Sequence, residues 1–183
     1  MPEWLYEEGI GENRAALVNG DRILEAAIEL PSVLRVGSVV SGRLTSILVP
    51  GRRGIVQLSD GTEALVEPLP PALTEGQMTR VAIVREAIVE PGRPKLPRAR
   101  VCDDEEREGP SLLRRLEESG IKVVKLGHSL PDRLEQAGWS ELLEEALTGE
   151  IAFAGGALRM SLTPAMTLFD VDGALPPQAL AVA

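Results

Sequence analysis

The sequence predicts an α+β chain in which a five-stranded β-barrel is set between two flanking segments of mixed character. Three observations predict it. Between Val36 and Val101 five short apolar stretches alternate with turn residues. The composition then changes sharply at the acidic stretch from Asp103 to Glu108, followed by Gly109-Pro110. Helical spacing of apolar residues begins only after that point.

Taken in order, residues 1–32 read as an antiparallel start. Arg14–Val18 and Arg22–Ile28 are apolar runs separated by Asn19-Gly20-Asp21. Asn-Gly in such a place signals a hairpin, because both central residues of a type I′ turn need positive φ. An earlier strand, about Glu3 to Glu8, completes three. Residues 33–101 form the barrel, with strands expected at Ser38–Leu44, Gly54–Leu58, Glu63–Val66, Thr79–Ala87 and Lys95–Val101. Pro50-Gly51, Asp60-Gly61 and Glu75-Gly76 punctuate them. A small closed barrel of the oligonucleotide-binding type fits that spacing. Residues 102–183 are the second mixed segment, opened by the acidic stretch as an exposed loop or linker. A helix is expected from Ser111 toward Gly120, then a strand at Ile121–Leu126. Ser129, with Asp132 three residues on, is placed to cap a helix running to Gly138, and Ser140 another through Leu147. Glu150–Ala154, a Gly155-Gly156 turn and Ala157–Leu162 make a hairpin, with Met166–Val171 as a further strand.

The composition narrows the function. A net charge of −9 argues against nonspecific coating of nucleic acid, which needs a clustered excess of Lys and Arg, while leaving room for a local basic groove. No apolar run approaches the roughly 20 residues of a membrane span, and the acidic start lacks the basic region and apolar core of a signal peptide. A cytoplasmic protein with no membrane partner is expected. Cys102 is the single cysteine, which excludes an internal disulfide and a Cys-x-x-Cys zinc site.

Chemistry is concentrated in two places. Asp170 and Asp172 lie two residues apart at the end of an apolar strand, so alternation puts both on one face. Magnesium takes oxygen ligands and commonly uses only one or two carboxylates, with waters and phosphate oxygens completing its shell. The same Asp-Val-Asp-Gly is also what a strand ending in an Asp-Gly turn looks like. The second place is the run of Arg80, Arg85, Arg93, Lys95, Arg98 and Arg100, where Arg98 and Arg100 share a strand face suited to phosphate. A solvated strand face reads the same way. Residues 33–100 contain no Phe, Tyr or Trp, so the usual stacking platform for single strands is missing. His128, the sole histidine, stands at a helix entrance without a nucleophile beside it and reads as a loop residue.

The order Gly155-Gly156, Leu158–Leu162, Thr163-Pro164-Ala165, Asp170-Val171-Asp172-Gly173 resembles the catalytic strand of the ribonuclease E/G family. The helix Glu141–Leu147, the opening strand Arg14–Val18 and the stretch Arg43 to Asp60 are similar to that family too, so the resemblance spans most of the chain. It implies a barrel inserted in a mixed α/β nuclease half-domain and an endoribonuclease acting on single-stranded RNA. In that scheme Asp170 binds Mg²⁺, which activates water for attack on the phosphodiester and leaves a 5′-phosphate and a 3′-hydroxyl. Asp172 is the second catalytic position, standing where the family has Asn. RNA contact falls to Arg80, Arg98 and Arg100. The chain stops before the family's second metal-binding Asp, and the family's zinc link and 5′-monophosphate-sensing Arg-Thr pair are absent. The resemblance thus implies a fragment or truncated chain, weak or inactive as a nuclease. Two other readings stay open: a non-catalytic RNA-binding module, and an interaction protein on a nuclease-derived fold. A homo-oligomer is compatible with each.

Overall fold

The computed structural model describes residues 1–89, 94–127, 131–163 and 166–173. Arg93, His128, Ser129, Pro164, Ala165 and the stretch after Gly173 lie outside them. Described residues make an α+β structure that is mostly β. The strands are β1 (Glu3–Glu8), β2 (Asn13–Asn19), β3 (Arg22–Glu29), β4 (Val39–Val49), β5 (Arg53–Leu58), β6 (Glu63–Val66), β7 (Met78–Arg85) and β8 (Arg98–Val101). There follow α1 (Leu112–Glu118), β9 (Val123–Leu126), α2 (Arg133–Gln136), α3 (Trp139–Thr148), β10 (Glu150–Phe153), β11 (Gly156–Leu162) and β12 (Thr167–Gly173).

The first sheet runs in the order β3-β2-β1-β9, with β9 parallel to β1 and the rest antiparallel. Its central strand is covered on both faces, which is why Trp4-Leu5-Tyr6 is continuously apolar. Trp4 and Tyr6 pack with Ala15, Leu112 and Leu116 on one side, while Leu5 packs with Ala16, Val18, Leu134 and Trp139 on the other. The β2–β3 turn differs from the Asn-Gly expectation. Asn19 pairs with Arg22, so Gly20 and Asp21 form the loop, and only Gly20 of the two takes a positive φ, at 65°. A glycine at the first central position meets that need without the second residue following it.

Between β3 and α1 the chain makes a closed five-stranded barrel, β4-β5-β6-β8-β7 and back to β4. All its pairs are antiparallel except β6 with β8. Leu44, Val56, Val66, Val81, Ile83 and Ala99 fill the interior, each large aliphatic stabilising the fold by about 1.5–3 kcal/mol on burial. Gly42 is dictated by closeness, since a Cβ there would stand 2.4 Å from Val56 Cγ1. The last barrel strand is shorter than expected: Lys95 belongs to the β7–β8 loop, where it exchanges backbone hydrogen bonds with Ile88, and β8 begins at Arg98.

The barrel is an insertion, because β9 returns to complete the sheet that β1–β3 began. A narrow neck joins the two parts. The acidic stretch is exposed, yet Arg107 and Val39 exchange backbone hydrogen bonds, so it runs back along the barrel. Gly109 N–H donates to Ser38 Oγ at 2.9 Å, and buried Glu29 accepts from Leu112 N–H at 2.7 Å with Arg35 Nε 3.3 Å away.

Two helix starts differ from expectation. Asp132 itself caps α2, accepting from the N–H groups of Leu134 and Glu135. Helix α3 begins at Trp139 after Gly138, and Ser140 lies inside it, its hydroxyl donating to Glu135. Finally β10, β11 and β12 form an antiparallel meander. The β10–β11 turn is Ala154-Gly155, one residue before the expected Gly155-Gly156: Gly155 takes φ 96° in the turn, and Gly156, the first residue of β11, is required by closeness, since a Cβ there would meet Asp172 O at 2.2 Å. Among the described residues no helix is long and apolar enough to cross a membrane.

Candidate nucleic-acid interface

Alternation along β5, β6 and β8 sorts their residues cleanly. Val56, Val66 and Ala99 point into the barrel, leaving Arg53, Ile55, Gln57, Leu65, Arg98 and Arg100 outside. The register sets a row across that outer surface: Ile55 opposite Leu65, Leu65 opposite Arg98, Arg98 opposite Arg85. Ile55 and Leu65 are half-buried aliphatics. Arg85 staples the base of the β7–β8 loop by donating to Leu96 O at 2.7 Å.

Beside this row stands Glu67, anchored by its N–H to Ala99 O at 3.0 Å. Its side chain is 16% exposed and gathers three guanidinium groups: Arg53 Nε at 3.1 Å, Arg98 Nη2 at 3.1 Å and Arg52 Nε at 3.6 Å. The hydrogen bond from Arg53, helped by the charges of Arg98 and Arg52 against the cost of desolvation, holds the Glu67 carboxyl below the usual range. Three positive charges face one negative charge, so the cluster keeps a local positive excess on a chain whose net charge is −9.

Of the arginines singled out in the sequence, Arg98 belongs to this cluster. Arg100 is exposed on the same face of β8. Arg80 is elsewhere: it sits on β7 opposite Ser41, five residues from the Arg85 that faces Arg98. Arg52, Arg53 and Glu67 were missed by sequence reasoning. The available signal was Arg52-Arg53 immediately after Pro50-Gly51, a basic pair at a strand start, but nothing in the spacing ties it to Arg98.

Asp170 and Asp172 do share one face of β12, and both are exposed. The lateral row there is Glu150, Arg159, Asp170, and Arg159 Nε donates to Glu150 at 3.4 Å. Asp172 lies opposite Ala157. No group of three or more His, Cys, Asp or Glu gathers among the described residues.

Comparison with protein-family models finds no match, and comparison with curated proteins finds none either.

Proposed function

We propose that this chain is an RNA-binding protein of the ribonuclease E/G kind, which holds single-stranded RNA against the outer surface of β5, β6 and β8. The observation that carries the reading is the cluster of Arg52, Arg53 and Arg98 on that surface. Barrels of the oligonucleotide-binding type bind nucleic acid on the face of their second and third strands and with the loops joining strands one to two and four to five. Here β5 and β6 are the second and third barrel strands, Arg52 lies in the first of those connections, and the second is the loop stapled by Arg85. Guanidinium groups bind phosphate oxygens through paired N–H donors. The test is fluorescence anisotropy of a labelled single-stranded RNA over a salt series. Replacing Arg53 and Arg98 together by Ala weakens binding at least tenfold and flattens the salt dependence by about 0.7 per lost phosphate contact. Parental affinity in that double variant would remove the barrel face from the reading.

A second reading, an Mg²⁺-dependent endoribonuclease activity, is favoured by the shared face of Asp170 and Asp172. These two would hold the ion, which when bound lowers the pKa of water and offsets charge developing on phosphate. On this reading the cleavage is at most weak, and Asp170→Asn removes whatever metal-dependent cleavage of a 5′-labelled RNA the parent shows while leaving RNA binding intact; equal cleavage by parent and variant ends the assignment.

A further inference from the structure

We propose that Glu67 is a positioning residue: its carboxylate draws the Arg52-Arg53 pair at the start of β5 and Arg98 of β8 into one tripod that receives a single phosphodiester of the RNA. This rests on the RNA-binding reading above. Arg52 and Arg53 are neighbours at the start of β5, Arg98 comes from β8, and β6 lies between those two strands, so the ladder pairs Arg98 with neither of the other two. What they share is Glu67. A long arginine side chain on a strand surface samples many rotamers, and ordering it at the moment of binding costs conformational entropy. An anchored carboxylate meets that cost beforehand.

The anchoring is visible in the backbone. Glu67 N–H donates to Ala99 O, and two residues on Leu69 N–H donates to Arg52 O, both at 3.0 Å, so the carboxylate and the turn bearing Arg52 are fixed to each other. The contact geometry also leaves the arginines usable. Arg52 and Arg53 face Glu67 with Nε, and Arg98 with one terminal nitrogen. A guanidinium has five N–H donors, so the other nitrogens remain for a second acceptor. The side chains of Arg52, Arg53 and Arg98 are 67%, 44% and 46% exposed, against 16% for Glu67. The acid is the base of the tripod, and the cations are its outer surface.

This role makes a prediction opposite in sign to simple electrostatics. Removing a negative charge from among three guanidinium groups raises the local positive potential, and charge alone would tighten RNA binding. If Glu67 positions the arginines, its loss weakens binding instead.

The experiment is the RNA anisotropy titration with the full chain, applied to Glu67→Gln, Glu67→Ala and the Arg53→Ala/Arg98→Ala double variant, with thermal unfolding run on each. The expected result is that both Glu67 variants bind at least threefold more weakly than the parent and show a shallower salt dependence. A merely structural Glu67 would lower the unfolding midpoint and leave the salt dependence of the folded protein unchanged. Binding as tight as the parent's, or tighter, in either folded Glu67 variant overturns the positioning role while the RNA reading stands, provided the double arginine variant is impaired. If the parent does not bind RNA, or the double arginine variant binds like the parent, the reading falls and this inference falls with it.

Discussion

The carboxylate of Glu29 accepts the backbone N–H of Leu112, a residue 83 positions further along the chain, and the contact lies at the neck through which the barrel is inserted. Glu29 ends β3 and Leu112 opens α1, so one side chain fixes the departure and the return of the inserted chain to each other. Arg35, at the first turn into the barrel, lies against the same carboxylate.

Glu29→Ala therefore leaves a buried N–H of α1 without its acceptor and takes one carboxylate away from Arg35, which keeps Glu108 and the Gly109 carbonyl. The expected loss is about 1–3 kcal/mol of stability. Urea unfolding followed by circular dichroism measures it, and a change below about 0.5 kcal/mol, the scatter of ordinary surface substitutions, would show that the neck does not depend on this contact.

Asp132 gives the fold an acid-sensitive joint. Burial pushes its carboxyl up, but the N–H groups of Glu135 and Leu134, and then Arg14, outweigh burial and hold it below the usual range. A carboxyl depressed in the folded state contributes its stability above the unfolded value of about 3.9 and loses it as pH falls through the folded value. Asn caps a helix about as well as Asp but cannot pair with Arg14. Asp132→Asn is thus less stable than the parent at neutral pH, and the gap between them closes below about pH 4. Unfolding midpoints at pH 7, 5 and 3 read this directly; a gap that stays constant would assign the difference to something other than charge.

The arginines of the barrel are not equivalent. Arg98 is one leg of the Glu67 cluster, while Arg80 stands away from it on β7. Arg98→Ala is expected to weaken RNA binding several-fold and Arg80→Ala to change it by less than about twofold, because half-buried Arg80 lies outside the cluster and contributes only screened long-range attraction. Equal losses in the two variants would point to diffuse charge in place of a defined site.

The Ile55–Leu65–Arg98 row is an aliphatic surface with no ring on which bases of the proposed RNA would stack. Leu65→Trp introduces one beside the arginines, and a base stacked on an aromatic side chain is worth about 1–3 kcal/mol. Binding should tighten by about tenfold, with quenching of the added tryptophan on RNA addition. Unchanged affinity without quenching would place the bases off this row.

Much of the fold was legible in the sequence, because local signals carried it. Glu63–Val66 was read with its observed bounds, and the β10–β11 hairpin lies where it was expected, although its turn is Ala154-Gly155, one residue before the expected Gly155-Gly156. What escaped were pairings between distant strands. Nothing in Val123–Leu126 announces that it lies parallel to Trp4–Glu7, and nothing in Arg98–Ala99 announces its parallel partner Leu65–Val66. The arginine cluster was half seen for the same reason. Arg98 was found because strand alternation is local, whereas Arg52 and Arg53 join it only once the barrel has closed and Glu67 stands between them.

The neck also bears on how the chain finds its fold. Strand β9 must reach β1 across more than a hundred residues, and closing a disordered loop costs about 0.6 kcal/mol more with every doubling of its length. A barrel already formed changes the problem, because its two ends, near Ser38 and Gly109, are held together by a hydrogen bond. To the unfinished sheet the whole insertion then behaves as a short tether, which lowers the cost of bringing Leu112 to Glu29 and β9 to β1.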